Sequence, residues 1–247
     1  MKTMIIMLTA VLTLGMVVRT EAQTEKVQLK ILLPKPLFIS TPKDIRSKNL
    51  EEPRGGKPRP PIDVPIGCDK MLSKDCKVTS SDPDPIVGEL SFITDGDNQH
   101  DPATYVELGS GVQWVQVDLG AEREIYAACV WHYYGDPRVY RDVVCQVSND
   151  PDFIDGVVTV FNNDHDNSSK LGEGKDKEYI ETNEGRPFAV NGVKARYVRF
   201  YSKGNTSNEM NHYLEIEVYG RAPADAPPEE EPRVPLKIEK PKPMPVP

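Results

Sequence analysis

Apolar and polar residues alternate at period two along Gln113-Trp114-Val115-Gln116-Val117-Asp118-Leu119-Gly120. Val115, Val117 and Leu119 fall on one face, and Trp114, Gln116 and Asp118 on the other. That is the pattern of a strand with one side in a core. Gly120 reads as its end. Further strand-like runs follow at 125–134, 142–148 and 196–201, and a last one at 214–220. Val198 shares a face with Phe200, and Ile216 with Val218, so these two strands can bury a common core. No stretch between them shows a helical period. The pattern predicts an all-β domain.

Proline divides the chain. Of 23 prolines, eight lie in 23–65 and nine in 221–247, leaving six in 66–220. The flanks read as Pro-rich extended segments, largely unpacked. The middle reads as one globular domain. Residues 1–22 carry Lys2, an apolar run over 4–18 and then Thr20-Glu21-Ala22. This is the layout of a secretory signal peptide, too short for a comfortable membrane span. An uncleaved anchor is the alternative. With no second apolar segment, the expected mature chain is secreted, extracellular or periplasmic, without membrane insertion.

The flanks resemble each other. Val27-Gln28-Leu29-Lys30-Ile31-Leu32-Leu33-Pro34-Lys35-Pro36-Leu37-Phe38 aligns with Val234-Pro235-Leu236-Lys237-Ile238-Glu239-Lys240-Pro241-Lys242-Pro243-Met244-Pro245 at seven of twelve positions. Compositional coincidence, a pair of docking strands and a remnant of a longer repeat all account for it. If they dock, each adds one short Val-x-Leu-Lys-Ile strand to a sheet edge, and Pro-Lys-Pro stops the ladder.

Charge narrows the partners. With 38 acidic against 30 basic residues and a formal net charge of −8, the chain has no footprint for nucleic acid. Arg54-Gly55-Gly56-Lys57-Pro58-Arg59 reads as a solvated linker. Four cysteines are too few for a disulfide scaffold. Cys68 and Cys76 bracket a short loop. Cys129 and Cys145 lie on consecutive strand candidates, where a cross-strand bridge is possible if the strands pair and the thiols share a face. Their parities disagree, and small buried thiols are the alternative.

Val78-Thr79-Ser80-Ser81, Thr94-Asp95-Gly96-Asp97 and 113–120 come in an order that resembles the discoidin, or coagulation-factor type C, domain. The resemblance continues through Val144-Cys145-Gln146-Val147-Ser148-Asn149-Asp150, Ala195-Arg196-Tyr197-Val198-Arg199-Phe200 and 215–220. That family is similar to carbohydrate-binding modules with a galactose-binding-like sandwich. The resemblance implies a jelly-roll β-sandwich over 66–220.

It also implies one structural Ca²⁺ where the Asp-Gly loop meets a carboxylate of the final strand. Asp95, Asp97 and Glu215 match those positions, and hard oxygen donors suit Ca²⁺. The family's Trp after this loop is missing; Thr104 is present. The alternative is that Asp95 and Asp97 cap a turn. Ligands in such sandwiches meet loops at one end. Sugar sites need a flat aromatic face plus amide, imidazole or guanidinium groups for hydroxyls. Tyr133, Tyr134, Arg138, His165, Asn211 and His212 have that chemistry. Ordinary loop polarity is the alternative for each. The run Asn163-Asp164-His165-Asp166-Asn167 lacks the Gly and terminal Glu of an EF-hand loop and reads as a solvated polar loop.

No Gly-x-Ser-x-Gly, His-Glu-x-x-His or phosphate loop is present. Glu215 and Glu217 alternate on what reads as an exposed strand face, which does not make an acid/base pair. The expected function is a secreted, non-catalytic recognition module for glycan. The alternatives are a structural surface or matrix protein, whose sandwich and Pro-rich flanks bind protein partners, and an accessory part of a polysaccharide-degrading system.

Overall fold

The computed structural model describes residues 25–38, 45–101 and 104–223. The signal segment 1–22 and the second Val-x-Leu-Lys-Ile copy lie outside the described residues.

The chain folds as antiparallel β structure. The elements are β1 (Lys26–Gln28), β2 (Asp63–Pro65), β3 (Lys70–Met71), β4 (Lys77–Ser80), β5 (Val106–Leu108) and β6 (Gln113–Trp131). They continue as β7 (Val144–Ser148), β8 (Val158–Asn162), β9 (Arg186–Ser202), β10 (Asn211–Tyr213) and β11 (Glu215–Arg221). One 3-10 turn, Leu90–Thr94, interrupts them. The main sheet runs β3-β11-β6-β9-β7-β8, with β4 also on β6.

β6 and β9 are long enough to serve two layers. The first part of β6 pairs with β4 and with the end of β9, whose other edge holds β7. The second part of β6 pairs with β11 and with the start of β9. The register breaks between Asp118 and Arg123, at Gly120, whose φ is +78°. Gly120 therefore does not end the strand. It supplies the positive φ of a bulge at which the strand bends from one layer into the other.

Between the layers lies one core. Val115, Val117 and Leu119 face Ile125, Ala128, Val130, Val198, Phe200, Ile216 and Val218, all buried. The expected parities hold, and so does the all-β sandwich.

Two expectations fail on the second layer. Ala127, Ala128, Cys129, Val130 and Trp131 are all buried, so this part of β6 is covered on both faces. The cover is the N-terminal flank. β1 pairs antiparallel with β2, with Val27 opposite Val64, and Leu29 packs with Val64, Cys68, Ala127 and Tyr219. Ile31 packs against the Cys129–Trp131 group. The described parts of this flank, 25–38 and 45–65, are thus not a loose tether. A fully buried Leu such as Leu29 contributes about 2 kcal/mol of transfer free energy, and Asn183 and Asn98 side chains donate to the Pro34 and Leu32 carbonyls at 2.8 and 2.7 Å. The basic patch is likewise engaged, with Arg59 and Arg186 on Glu51 and Arg54 on Glu184. A cleft of about 340 Å³ remains where 33–38 and 50–58 meet 180–184. Under the same cover Glu215 and Glu217 are buried, not exposed.

All four cysteines are free. β6 and β7 are not neighbours, because β9 lies between them. Cys145 belongs to the central core and Cys129 to the outer cluster, which excludes the cross-strand bridge.

Candidate functional site

β5 and β10 form a small separate sheet, with His212 opposite Glu107. Val106 and Leu108 point into the core, which turns Tyr105 and Glu107 toward the loop that follows β6. That loop carries Tyr133, Asp136 and Arg138.

The rings converge there. Tyr105 and Tyr133 are half-buried, with centroids 5.1 Å apart and edge to face. His100 packs edge-on against Tyr133 at 4.6 Å, and His212 lies 5.7 Å from Tyr105 and 5.9 Å from Tyr133. The Arg138 guanidinium sits 4.5 Å from the Tyr133 ring centre, within cation–π range. Its Nε donates to Asp136 Oδ1 at 2.9 Å. Gly135 permits this closeness: a Cβ there would stand 2.2 Å from His100 Nε2 and 2.5 Å from the Tyr133 hydroxyl. His100 Nε2 is buried and has no protein partner.

Behind the rings runs a buried polar chain. The His212 Nε2–H is aimed at Glu107 Oε2, 3.1 Å away, and the Tyr140 hydroxyl lies 2.9 Å from His212 Nδ1. A neutral imidazole with its proton on Nε2 satisfies both contacts. Burial, with Arg138 nearby, pushes His212 down to about 4. Tyr140 stacks on His132 at 4.3 Å, and His132 Nδ1 meets Glu181 Oε2 at 2.9 Å. Burial raises the Glu181 carboxyl, against the hydrogen bond from His132.

The expected sugar-contacting residues divide. Tyr133, Arg138 and His212 come together. Tyr134 does not offer a platform: it is 1% exposed, its hydroxyl donates to the Asn98 carbonyl and accepts the His100 N–H, and burial pushes it up to about 12. Asn211 is fully buried and saturated. Its oxygen accepts from Ser202 Oγ at 2.7 Å and Gly204 N–H at 2.8 Å, and its amide donates to the Gly109 and Gly111 carbonyls. His165 sits on the loop after β8 and is joined by no ring contact to the Tyr133 group. Tyr105, Glu107 and His100 escaped the sequence reading. The alternation Tyr105-Val106-Glu107-Leu108 was the available signal.

His165's loop is packed at its start and solvated beyond it, with Asp166 and Asn167 exposed. Asn163 and Asp164 are 0% exposed. Asp164 accepts from the Ser168 and Ser169 N–H groups at 3.0 and 2.8 Å and from the Ser169 hydroxyl. Carboxylate oxygens of Asp142, Asp164 and Asp166 lie within 4.8 Å of one another, with Ser168 and Lys203 on Asp142.

At the implied Ca²⁺ position, Glu215 is fully buried. Its Oε2 accepts the Gly96 N–H at 3.1 Å, while Oε1 has no partner. Burial, then the neighbouring Glu217, push it up to about 9. An orphaned buried carboxylate oxygen facing an Asp-Gly loop fits a hard cation at that point. Asp95 and Asp97 are exposed and accept their own loop's N–H groups, from Asp97 at 2.8 Å and Gln99 at 3.0 Å. Thr104 Oγ1 is taken up by the Gln99 and Asp101 carbonyls.

No family model matches this chain, and no curated protein matches it. Solved structures do. One is the CBM32 module of AlyQ in complex with 4,5-unsaturated mannuronic acid: 21% identity, TM-score 0.44, covering 59% of this chain and 95% of that one. Another is chitosan-binding module 1 of a chitosanase/glucanase from Paenibacillus sp. IK-5: 21% identity, TM-score 0.45, covering 61% and 99%. A third is a family 89 glycoside hydrolase from Clostridium perfringens: 20% identity, TM-score 0.48, covering 65% of this chain and 16% of that one. The solved structures to which this chain is similar thus include carbohydrate-binding modules.

Proposed function

We propose that the chain is an exported, non-catalytic module that binds glycan on the surface formed by Tyr105, Tyr133, Asp136 and Arg138. The observation that carries it is the convergence of two half-buried tyrosine rings, 5.1 Å apart, with a guanidinium over one of them. A ring face accepts the C–H face of a sugar, and the Asp136 carboxylate and tyrosine hydroxyls suit its hydroxyl groups. His100 Nε2, buried without a protein partner, is a further polar atom beside the rings. Glu215 Oε1 and the Asp95–Asp97 loop hold a structural Ca²⁺ in this reading. Its chemistry there is neutralisation of a buried carboxylate.

A glycan array on the full chain, followed by calorimetry on the best binder, tests the proposal. Tyr133→Ala and Tyr105→Ala should each weaken binding by about 1 kcal/mol, or roughly fivefold, and leave the fold intact. Unchanged affinity in both moves the site elsewhere. No binding to any glycan favours the reading as a structural protein with protein partners.

A further inference from the structure

We propose that the groove occupied by β1 is a receptor for the chain's other Val-x-Leu-Lys-Ile segment, residues 234–238, which exchanges with β1 in the same molecule. The groove reads only part of the β1 sequence. Val27, Leu29 and Ile31 face it, while Lys26, Gln28, Lys30 and Leu32 are exposed, Leu32 at 84%. Its floor is Val64, Cys68, Ala127 and Tyr219. The second copy keeps every inward residue, as Val234, Leu236 and Ile238. Its change at Glu239 falls on the outward Leu32 position, and Lys240 replaces the half-exposed Leu33.

The backbone agrees as well. The Leu29 N–H donates to the Ile62 carbonyl at 2.8 Å, and the Glu25 carbonyl accepts the Ile66 N–H at 3.1 Å. Antiparallel bonds alternate, so residues 25, 27 and 29 face β2 and the Gln28 N–H points away. Pro235 stands at the Gln28 position, one of the alternate positions where a missing N–H costs no ladder bond. The carbonyls that receive Asn98 and Asn183, those of Leu32 and Pro34, recur at Glu239 and Pro241.

Reach is ample. Tyr219 lies in the groove floor two residues before the end of β11, and twelve residues separate Arg221 from Val234. Such a length extends up to about 40 Å. β1 holds the advantage because Phe38 and Leu33 also line the cleft beside it, where the second copy has Pro245 and Lys240.

Hydrogen exchange on the full chain tests the exchange. Leu29→Asp should expel β1, and the Leu236 amide should then slow by about tenfold or more. Leu29→Asp with Leu236→Asp should lose that protection and melt below Leu29→Asp alone. If Leu29→Asp fails to fold, a peptide of residues 233–247 added to the parent chain should speed exchange at Leu29 and leave the β6 core amides unchanged. Free exchange at Leu236 in both backgrounds, with no effect of Leu236→Asp on melting, overturns the proposal. So does a peptide that never alters Leu29. Protection that rises with protein concentration puts a second copy's segment in the groove and overturns exchange within one molecule.

Discussion

Asn211→Ala separates a ligand-binding asparagine from a structural one. The side chain is fully buried and makes four hydrogen bonds, to Ser202, Gly204, Gly109 and Gly111. These tie β10 to the end of β9 and to the turn that leads into β6. Alanine removes all four. The Ser202 hydroxyl keeps a partner in Tyr213 at 2.9 Å, but the Gly204 N–H and the two glycine carbonyls do not. Each neutral bond contributes about 1 kcal/mol net, and an orphaned buried group costs about 1–3 kcal/mol. Partial access of water lowers the total, and about 3 kcal/mol is expected. For a domain of this size that lowers the melting temperature by roughly 6–12 °C. Circular dichroism melts of Asn211→Ala and the parent read the shift. Calorimetry well below the transition should find glycan affinity unchanged. An Asn211→Ala chain that melts like the parent but binds glycan as weakly as Tyr133→Ala would refute the assignment.

Three further outcomes follow from the same geometry. His212 has a folded-state pKa of about 4, against an unfolded value of about 6.5. The unfolded chain therefore takes up the proton first as pH falls, and stability present above about 6.5 is lost toward about 4, by up to about 3 kcal/mol. His212→Gln should flatten that part of the melting-versus-pH curve, and an unchanged slope would assign it to another group. For the cation, chelator should lower the melting temperature of Ca²⁺-loaded protein, since a ligand of the native state stabilises it; Glu215→Gln should abolish the response, and identical parent melts with and without chelator count against the site. Asp136→Asn should weaken glycan binding with little change in melting, because Asp136 is exposed and, among the described residues, forms its ion pair with Arg138, to which an Asn oxygen can still accept; a large drop in melting would make it structural.

The central core was legible because period-two alternation survives wherever one face of a strand is buried. Val115, Val117, Val198, Phe200, Ile216 and Val218 all took the places that their parity assigns. The site was less legible. Residue chemistry selects Tyr134 and Asn211 as readily as Tyr133, since nothing local shows that a hydroxyl is spent on the Asn98 carbonyl or an amide on two glycines. Those bonds join residues 36 and about 100 positions apart. Asn163 and Asp164 misled for a related reason: polar residues in a loop imply solvent, unless the loop's own N–H groups and hydroxyls, or a nearby strand end, supply their partners.

The N-terminal flank shows how two signals in one segment compete. Its eight prolines argue for an extended tether. Yet an extended chain is also what β pairing requires, and proline excludes a residue from a ladder only where its N–H would donate. Pro65 lies in β2 itself, opposite Lys26, a position that faces away from the β1 bonds. The decisive sign was not in the flank. Ala127-Ala128-Cys129-Val130-Trp131 has no polar alternation, so both of its faces must be covered. The core between the layers can cover only one. Some other part of the chain has to supply the second cover, and the Val27, Leu29 and Ile31 alternation is the match for it. Apolar patterning in one element thus predicts a partner elsewhere, even when composition marks that partner as a linker.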